Sequence, residues 1–253
     1  MKIVILGAGN VATHLAWALK DIGHEICQIY SRTQLSAEFL AQQIDTDYCI
    51  SLEQLKQADL YIYALSDNAL EAVIRSINIY SGIHIHTAGS VDMNIFQTKF
   101  EKFGVFYPLQ TFSKDKELDF AEVPVFIEGS NKAVTDTLFE LAKSVTNKPF
   151  LATSDQRIRL HIAAVFACNF SNYFYTLASD ILKSESIPFD ILQPLILETA
   201  TKIQTLAPLD AQTGPARRND TETIERHLEM IKDEDLKKLY SVLSTQITKR
   251  YKV

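Results

Sequence analysis

The sequence predicts an α/β fold, a mostly parallel sheet followed by a smaller, all-helical domain. Three observations predict it. Over the first 110 residues, short β-branched runs alternate with amphipathic helical stretches, as in strands joined by crossover helices. A glycine-rich turn at 7–12 lies between the first strand-like run and the first helical stretch. After residue 152 strand-like runs disappear and helical periodicity continues. We therefore expect one domain over residues 1–152 and a helical domain over residues 153–253.

Strands are predicted wherever a short apolar run is rich in β-branched or aromatic residues. These runs are 2–6, 25–30, 48–50, 60–65, 83–86, 104–107 and 123–127. Helices are predicted where apolar residues recur three or four positions apart, as they do from Val11 to Ile22 before a C-terminal Gly23. The other helices predicted in this half are 36–43, 52–57, 69–77, 95–103 and 131–144.

The second half reads as four helices, 156–183, 188–206, 221–232 and 234–248. The segment 207–220, "APLDAQTGPARRND", separates the second from the third because its two prolines and its glycine interrupt helical structure.

Composition narrows the classes of partner. The chain has 253 residues, a net charge of −6 and basic residues that are scattered rather than clustered, so we expect neither nucleic acid nor a membrane as a partner. No secretory signal or membrane-spanning stretch is evident, which predicts a cytoplasmic protein. Three cysteines at no metal-ligand spacing predict no metal site.

The turn Gly7-Ala8-Gly9-Asn10-Val11-Ala12 fits the G-x-G-x-x-G/A pattern of a Rossmann-type sheet. The first glycine permits the tight turn, the second lets a pyrophosphate approach the backbone, and the small sixth residue lets helix and strand pack closely. We expect the pyrophosphate to be held by Gly7, Gly9, Asn10 and Val11. The alternative is a purely structural turn.

The end of the second strand indicates which dinucleotide would bind. A carboxylate usually stands there for the ribose hydroxyls, whereas this chain has Ser31, Arg32 and Thr33. A guanidinium and two hydroxyls suit a 2′-phosphate, so the segment predicts NADP(H) rather than NAD(H). The alternative is that Ser31 or Thr33 caps the next helix and that Arg32 is a solvated charge.

Two further strand ends point to the same crevice, because ligands of open α/β sheets bind outside the carboxyl ends of the strands. The residues expected near the ribose and nicotinamide are Leu65, Ser66, Thr87 and Ser90. Ordinary turns and helix caps are the alternative.

On the helix predicted from residue 156, a polar stripe lies within roughly 40° of one line if every residue turns by 100°. The stripe comprises Arg157, His161, Cys168, Asn172 and Tyr175, with Asn169 to one side. Histidine exchanges protons near neutral pH, so His161 is the candidate for proton transfer, with Asn169 or Asn172 orienting a substrate. The other faces are apolar, so we expect the helix to be buried on several sides. The alternative is a core histidine with structural asparagines.

The segment 213–220, "TGPARRND", places Arg217 and Arg218 just before a helix that Asp220 or Thr221 would cap. Either arginine could contact a substrate carboxylate or a cofactor phosphate. A solvated loop with two surface charges is the alternative.

Six motifs occur in order: "GAGNVA" (7–12), "SRT" (31–33), "HTAGS" (86–90), "YPLQTF" (107–112), "RLHIAAVFACNF" (159–170) and "TGPARRND" (213–220). Together they resemble a bacterial NADP oxidoreductase family with a Rossmann-like N-terminal half and a helical C-terminal half. That family is similar to ketopantoate reductase, pyrroline-5-carboxylate reductase and 6-phosphogluconate dehydrogenase. The resemblance implies NADP binding, a homodimer formed through the helical domain, and a small acid as substrate.

Two departures from these relatives stand out. Similar hydroxyacid dehydrogenases carry a catalytic lysine on the first helix of the second domain, but the first lysine of this helix is Lys183. Where the family pattern has His-Pro-Leu-Gln-Thr-Phe, this chain has Tyr107 in place of the histidine.

Taken together, the motifs and the resemblance predict an NADP-dependent oxidoreductase that transfers hydride to or from a C=O or C=N bond of a small anionic metabolite bound between the domains. The alternative is a non-catalytic NADP-binding sensor or dimeric interaction module.

Overall fold

The computed structural model describes residues 1–79 and 81–251. In that part of the chain one eight-stranded sheet has the order β3-β2-β1-β4-β5-β6-β7-β8, and every neighbouring pair is parallel except β6 and β7. The strands are β1 (Lys2–Leu6), β2 (Glu25–Tyr30), β3 (Tyr48–Cys49), β4 (Leu60–Tyr63), β5 (Ile83–His86), β6 (Phe103–Pro108), β7 (Val125–Gly129) and β8 (Pro149–Leu151). This confirms the predicted Rossmann-type sheet, and the strand order reverses between β1 and β4, beside the glycine turn.

Four helices cross over between strands: α1 (Asn10–Asp21), α2 (Gln34–Gln43), α3 (Asp67–Ser76) and α4 (Lys132–Val145). The rest of the described chain is helical, which confirms the second half of the predicted fold class. Its helices are α5 (Ser154–Ala164), a π-helical segment (Val165–Phe170), α6 (Ser171–Ser184), α7 (Gln193–Lys202), α8 (Pro208–Ala211), α9 (Thr221–Met230) and α10 (Glu234–Tyr251).

The sheet is covered on both faces. Successive residues of a strand point to opposite faces, so Ile3 and Ile5 join one apolar cluster while Val4 and Leu6 join the other. The first cluster includes residues of α1 and α4, and the second includes residues of α3. Burial on both faces explains why β1 is continuously hydrophobic rather than alternating.

Two helices predicted in the first half do not form. Residues 52–57 contain only a 3₁₀ turn at Leu52–Gln54, because side chains satisfy the backbone that a helix would use. The N–H of Lys56 donates to Gln28 Oε1, and the N–H of Ala58 donates to the Tyr61 hydroxyl, at 2.9 and 2.8 Å. The predicted helix 95–103 is also wrong.

In that second segment a 3₁₀ turn at Met93–Phe96 is followed by loop, and β6 already begins at Phe103. The helical spacing of its apolar residues has another cause: Phe96 and Phe100 both pack under the sheet, where the Phe100 ring stacks on His84 at 3.6 Å between centroids. Strand β8, with only three residues, was not predicted.

The chain divides into two compact units, Met1–Phe174 and a second that starts at Tyr175. The last strand ends at Leu151, and α5 with its π-helical extension belongs to the first unit. A boundary of domains at residue 152 stays a prediction. Within residues 175–251, Ala216 is the one buried residue. No helix in the described part of the chain has both the length and the apolar character to cross a membrane.

Candidate functional site

The glycine turn has the geometry that a dinucleotide needs. Gly7 has φ of +123°, a left-handed conformation, and a Cβ there would overlap the carbonyl oxygen of Ala64. Its N–H donates to the carbonyl of Tyr30 at 2.7 Å, which ties the start of the turn to the end of the neighbouring strand β2. Gly9 caps α1 in an extended conformation, and a Cβ there would meet no atom within 4 Å. The turn therefore has no room for a side chain at Gly7, whereas the space beside Gly9 is open.

Asn10 has a side-chain partner that the sequence did not indicate. Its Nδ2 donates to the carbonyl of Phe112 at 2.7 Å, and one turn later Nε2 of His14 lies 2.9 Å from the carbonyl of Ser113. The two contacts fasten the segment after β6 to the start of α1. Any contact of Asn10 with a pyrophosphate would come from its main chain, as would that of Val11.

Beyond the end of β2 a cleft of about 390 Å³ opens toward α3. Its lining residues are Tyr30, Arg32, Leu52, Ser66, Asn68, Ala69, Ala72, Val73 and Ser76. None of them is acidic, so no carboxylate in the described lining would repel a phosphate. The sequence predicted Arg32 and Ser66 but missed the apolar walls, which come from the 3₁₀ turn after β3 and from the small residues on one face of α3.

The arginine of this cleft is exposed and, among the described residues, has no carboxylate partner within ion-pair distance. Burial raises the pKa of Tyr30, and the nearby positive charge of Arg32 opposes that shift. Ser31 Oγ accepts the N–H of Thr33 at 3.3 Å. Thr33 is the N-cap residue of α2, but its side chain makes no capping bond. The side chain of Thr33 therefore does not cap α2, while an exposed Arg32 without an ion-pair partner is compatible both with a phosphate contact and with a solvated charge.

The predicted ribose and nicotinamide residues lie at the carboxyl ends of β4 and β5, which are neighbours in the sheet. Leu65 packs beside Gly7, and Ser66 caps α3 without a side-chain bond. Thr87 is buried, and its N–H donates to the carbonyl of Tyr63 at 3.3 Å. Ser90 Oγ donates to the carboxylate of Asp67 at the first position of α3. The structure thus brings these four residues to one edge of the sheet.

His161 lies where three elements of the first unit meet. Its Nδ1 is 3.0 Å from the hydroxyl of Tyr107, the last residue but one of β6, and the two rings meet edge to face with 6.1 Å between centroids. Gly89, just after β5, lies against both side chains. The sequence predicted His161 but neither neighbour. A signal was present, since Gly89 follows β5 and Tyr107 lies near the carboxyl end of the adjacent β6, at the edge that also carries the glycine turn.

The helix that carries His161 is anchored by a buried ion pair. Arg157 is 1% exposed, and its Nη1 lies 2.6 Å from Oε2 of Glu128 on β7. The same carboxylate accepts the N–H and the hydroxyl of Ser154 at 2.8 and 2.7 Å, and Arg157 Nη2 also donates to the carbonyl of Val91. The first turn of α5 is thereby fixed to the sheet. Arg157, a member of the predicted polar stripe, is therefore a buried structural anchor.

The rest of the predicted stripe is interrupted. Val165–Phe170 forms a π-helical segment, in which bonds reach five residues rather than four, so positions beyond it turn away from the line of His161. Asn169 lies within that segment and Asn172 follows it on α6, both exposed. The expectation that this helix is buried on several sides is wrong for the single chain, because Ile162 and Phe166 are 53% and 65% exposed.

The two arginines of the "TGPARRND" segment belong to the second unit and are exposed. The guanidinium of Arg217 lies over the ring of Tyr251, 5.2 Å from its centroid. Arg218 is on the same loop, whose shape depends on left-handed Gly214 and Asn219. Asp220 caps α9 by accepting the N–H of Thr223, as predicted.

Comparison with known proteins identifies families and solved structures to which the chain is similar. A family described as "NADP oxidoreductase coenzyme F420-dependent" matches residues 2–85, and a "domain of unknown function (DUF2520)" matches residues 123–247. BF3122 from Bacteroides fragilis, a proposed NADP oxidoreductase, is 44% identical over 98% of both chains, with a TM-score of 0.91. No curated protein is detectably similar to the chain.

Two more distant solved structures share the fold. Protein TM1727 from Thermotoga maritima is 18% identical, with a TM-score of 0.82 over 98% of this chain and 99% of the other. A 1-pyrroline-5-carboxylate reductase from Streptococcus pyogenes is also 18% identical, with a TM-score of 0.67 over 100% of this chain and 99% of the other. The similarity extends over both halves of the chain in each case.

Proposed function

The chain belongs to the NADP oxidoreductase family of BF3122, and on that premise we propose that it transfers hydride between NADP(H) and a C=O or C=N bond of a small anionic metabolite. The observation that carries the proposal is Arg32, an exposed guanidinium without an acidic partner at the mouth of a cleft that begins beside the glycine turn. A 2′-phosphate would supply the negative charge that pairs with the guanidinium of Arg32.

The residues present fit the cofactor. The open surface above Gly9 and the first N–H groups of α1, at Asn10 and Val11, would hold the pyrophosphate, while Gly7 keeps the turn tight. The 2′-phosphate would contact Ser31, Arg32 and Thr33. The ribose and nicotinamide would lie along Leu65, Ser66, Thr87 and Ser90. A bound nicotinamide would supply or accept the hydride, and the protein contributes position and proton transfer.

His161 is the residue we assign to proton transfer, because it stands at the same edge of the sheet as the turn and its ring is held by Tyr107. Asn169 and Asn172 are assigned to orienting the substrate, and Arg217 and Arg218 to its anionic group. The similarity to a pyrroline-5-carboxylate reductase favours a C=N bond among the two candidates.

We also propose that the active form is a homodimer joined through the helical domain. Helices α6, α7, α9 and α10 have no buried residue, and α7 exposes Leu195 and Leu197 by 63% and 68%. Apolar side chains at this density are typical of a surface that another subunit covers. A second copy of the chain supplies matching helices without any further partner.

Titration with NADPH and NADH tests the cofactor assignment. The wild-type protein should bind NADPH more tightly, and Arg32→Gln should weaken NADPH binding about 10- to 100-fold while changing NADH binding less than about twofold. Arg226→Gln is the matched control, since Arg226 is an exposed arginine of the second unit, paired only with Glu222. Equal affinity for the two dinucleotides in the wild-type protein would contradict the role of Arg32.

Turnover is tested by NADPH oxidation over a panel of small keto acids and cyclic imines, repeated with His161→Ala. We expect one class of substrate to be reduced and the variant to lose at least about 100-fold in kcat with NADPH binding retained. NADPH binding without turnover on any member would favour a binding module, and a fully active variant would remove His161 from the reaction.

A further inference from the structure

We propose that Tyr107 is a positioning residue for the reaction: its hydroxyl oxygen accepts the Nδ1–H of His161, so that Nε2 is the ring nitrogen that exchanges a proton with the substrate. This inference rests on the proposed function. It adds a residue that the sequence pattern left without a role and fixes which of the two ring nitrogens acts.

The first support is the contact itself. The hydroxyl of Tyr107 and Nδ1 of His161 are 3.0 Å apart, within hydrogen-bonding distance. In residues 1–79 and 81–251 no hydrogen bond to Nε2 occurs, and that atom is not among the buried, unpartnered side-chain atoms. The two ring nitrogens therefore have different surroundings: one is held by the protein and the other is accessible.

The second support is that both side chains are held from several directions. Tyr107 is buried at 8% exposure, and its ring packs against Phe126 on the neighbouring strand, with 6.5 Å between centroids. His161 follows Arg157 by one helical turn, and the Arg157–Glu128 pair fixes that turn to the sheet. A pair held in this way costs little further conformational entropy when a substrate arrives.

The third support is the space between them, which only a glycine leaves open. A Cβ at position 89 would lie 2.6 Å from Nδ1 of His161 and 2.9 Å from Cζ of Tyr107. No positive φ is involved, so Gly89 is required for room rather than for backbone conformation. Any side chain at this position would push against the hydrogen-bonded pair.

The charges around the pair favour a neutral tyrosine. Burial raises the pKa of Tyr107; the positive charge of Arg157 on α5 opposes this shift, and the negative charge of Asp67 on α3 adds to it. Tyr107 therefore keeps its own proton and is not a phenolate, and in the proposed tautomer its oxygen lone pair accepts the Nδ1–H of His161. This is the role that an orienting acceptor has beside a catalytic histidine in other enzymes.

The proton balance follows. In the reducing direction, a bound reduced nicotinamide would supply a hydride to the carbon of the C=O or C=N bond, and the π electron pair would move to the oxygen or nitrogen. That atom takes a proton from Nε2 of the imidazolium, which leaves neutral His161 with its remaining proton on Nδ1, donated to Tyr107. Nε2 regains a proton from water. One hydride and one proton are consumed for each bond reduced.

The deciding experiment is ¹⁵N NMR of the histidine-labelled full chain, with and without NADPH. At a pH where His161 is neutral, the wild-type ring should carry its proton on Nδ1, and Tyr107→Phe should move the population to the Nε2–H form. In turnover assays the same variant should lose about 10- to 100-fold in kcat, the effect of one hydrogen bond, with KM for NADPH unchanged within about twofold. Gly89→Ala, which removes no polar atom, should act in the same direction.

The chain offers a matched control in Tyr240→Phe, because Tyr240 and His227 form a second hydroxyl–Nδ1 pair, at 2.7 Å, in helices α10 and α9. This variant should change the NMR signals of His227, leave those of His161 unchanged and keep full activity. A wild-type His161 protonated on Nε2, or a tautomer unaffected by Tyr107→Phe, overturns the inference. Either result can occur with NADPH binding intact, so it is distinguishable from failure of the proposed function.

Discussion

Replacement of Glu128 by glutamine should destabilise the protein by an amount that its contacts set. The carboxylate accepts three donors: the N–H and hydroxyl of Ser154, and the guanidinium of Arg157 at 2.6 Å. Glutamine keeps one acceptor oxygen but places an N–H₂ group against donors, and Arg157, 1% exposed, retains its charge without a counterion. Removing one partner of a buried ion pair costs about 3–5 kcal/mol, and Glu128, 16% exposed, belongs at the lower end.

We therefore expect Glu128→Gln to lower the free energy of unfolding by about 3 kcal/mol, equivalent to about 6–12 °C in Tm for a chain of this size. Urea denaturation followed by circular dichroism, at one protein concentration, measures the first quantity, and a thermal melt measures the second. Asp136→Asn is the control: it breaks the exposed Lys132–Asp136 pair and should cost no more than about 0.5 kcal/mol.

A double variant separates burial from pairing. Arg157→Met combined with Glu128→Leu removes both charges, so it should be more stable than Arg157→Met alone, in which the carboxylate is left without its guanidinium. A Glu128→Gln variant that matches the Asp136→Asn control in stability would refute the reasoning. It would mean that the pair is solvated and does not anchor α5.

Three further predictions concern the turn, the sheet and the helical surface. Gly7→Ala should lower Tm, because the added Cβ would overlap the carbonyl of Ala64. Gly9→Ala should leave Tm unchanged and weaken NADPH binding at least tenfold. Equal Tm and equal NADPH affinity in the two variants would contradict the assignment. Burial lowers the pKa of His84 to about 4 and that of His86 to about 3. As pH falls from about 6.5 toward those values, each histidine should therefore lower the free energy of unfolding by about 1.4 kcal/mol per pH unit. Urea midpoints that do not change with pH would contradict this. Leu197→Glu should convert a dimer to a monomer in sedimentation velocity, and a wild-type monomer at tens of micromolar would refute the dimer.

The sequence predicted local features well where the backbone conformation can be adopted by only a few residue types. The glycine turn, the strands around it and the left-handed C-cap at Gly23 follow from backbone requirements that few residues satisfy. The role of Arg32 stays a prediction of the same kind, because the turn indicates how far along the chain the adenosine end of a dinucleotide site would lie. Long, periodic helices such as α4 and α10 were predicted with bounds that differ from the observed ones by at most three residues.

Other predictions failed because spacing along the chain does not reveal what a residue contacts. The phenylalanines of 96–103 repeat at helical intervals, yet they pack as separate anchors under the sheet. Residues 52–57 were given a helix, but the side chains of Gln28 and Tyr61 take up their backbone groups. The stripe on the first long helix assumed 100° per residue throughout, which the π-helical segment Val165–Phe170 breaks.

The sequence by itself determined the fold class, the glycine turn and the positive charge after β2, where we propose that the 2′-phosphate binds. These depend on backbone conformation and on residues close to one another along the chain. Only the tertiary structure decided that Gly89, Tyr107 and His161 meet, and that Arg157 pairs with Glu128. The reason is physical: the sheet brings together residues that are 18 to 72 positions apart in the chain. The order of the strands, which no local pattern encodes, selects which of them become neighbours.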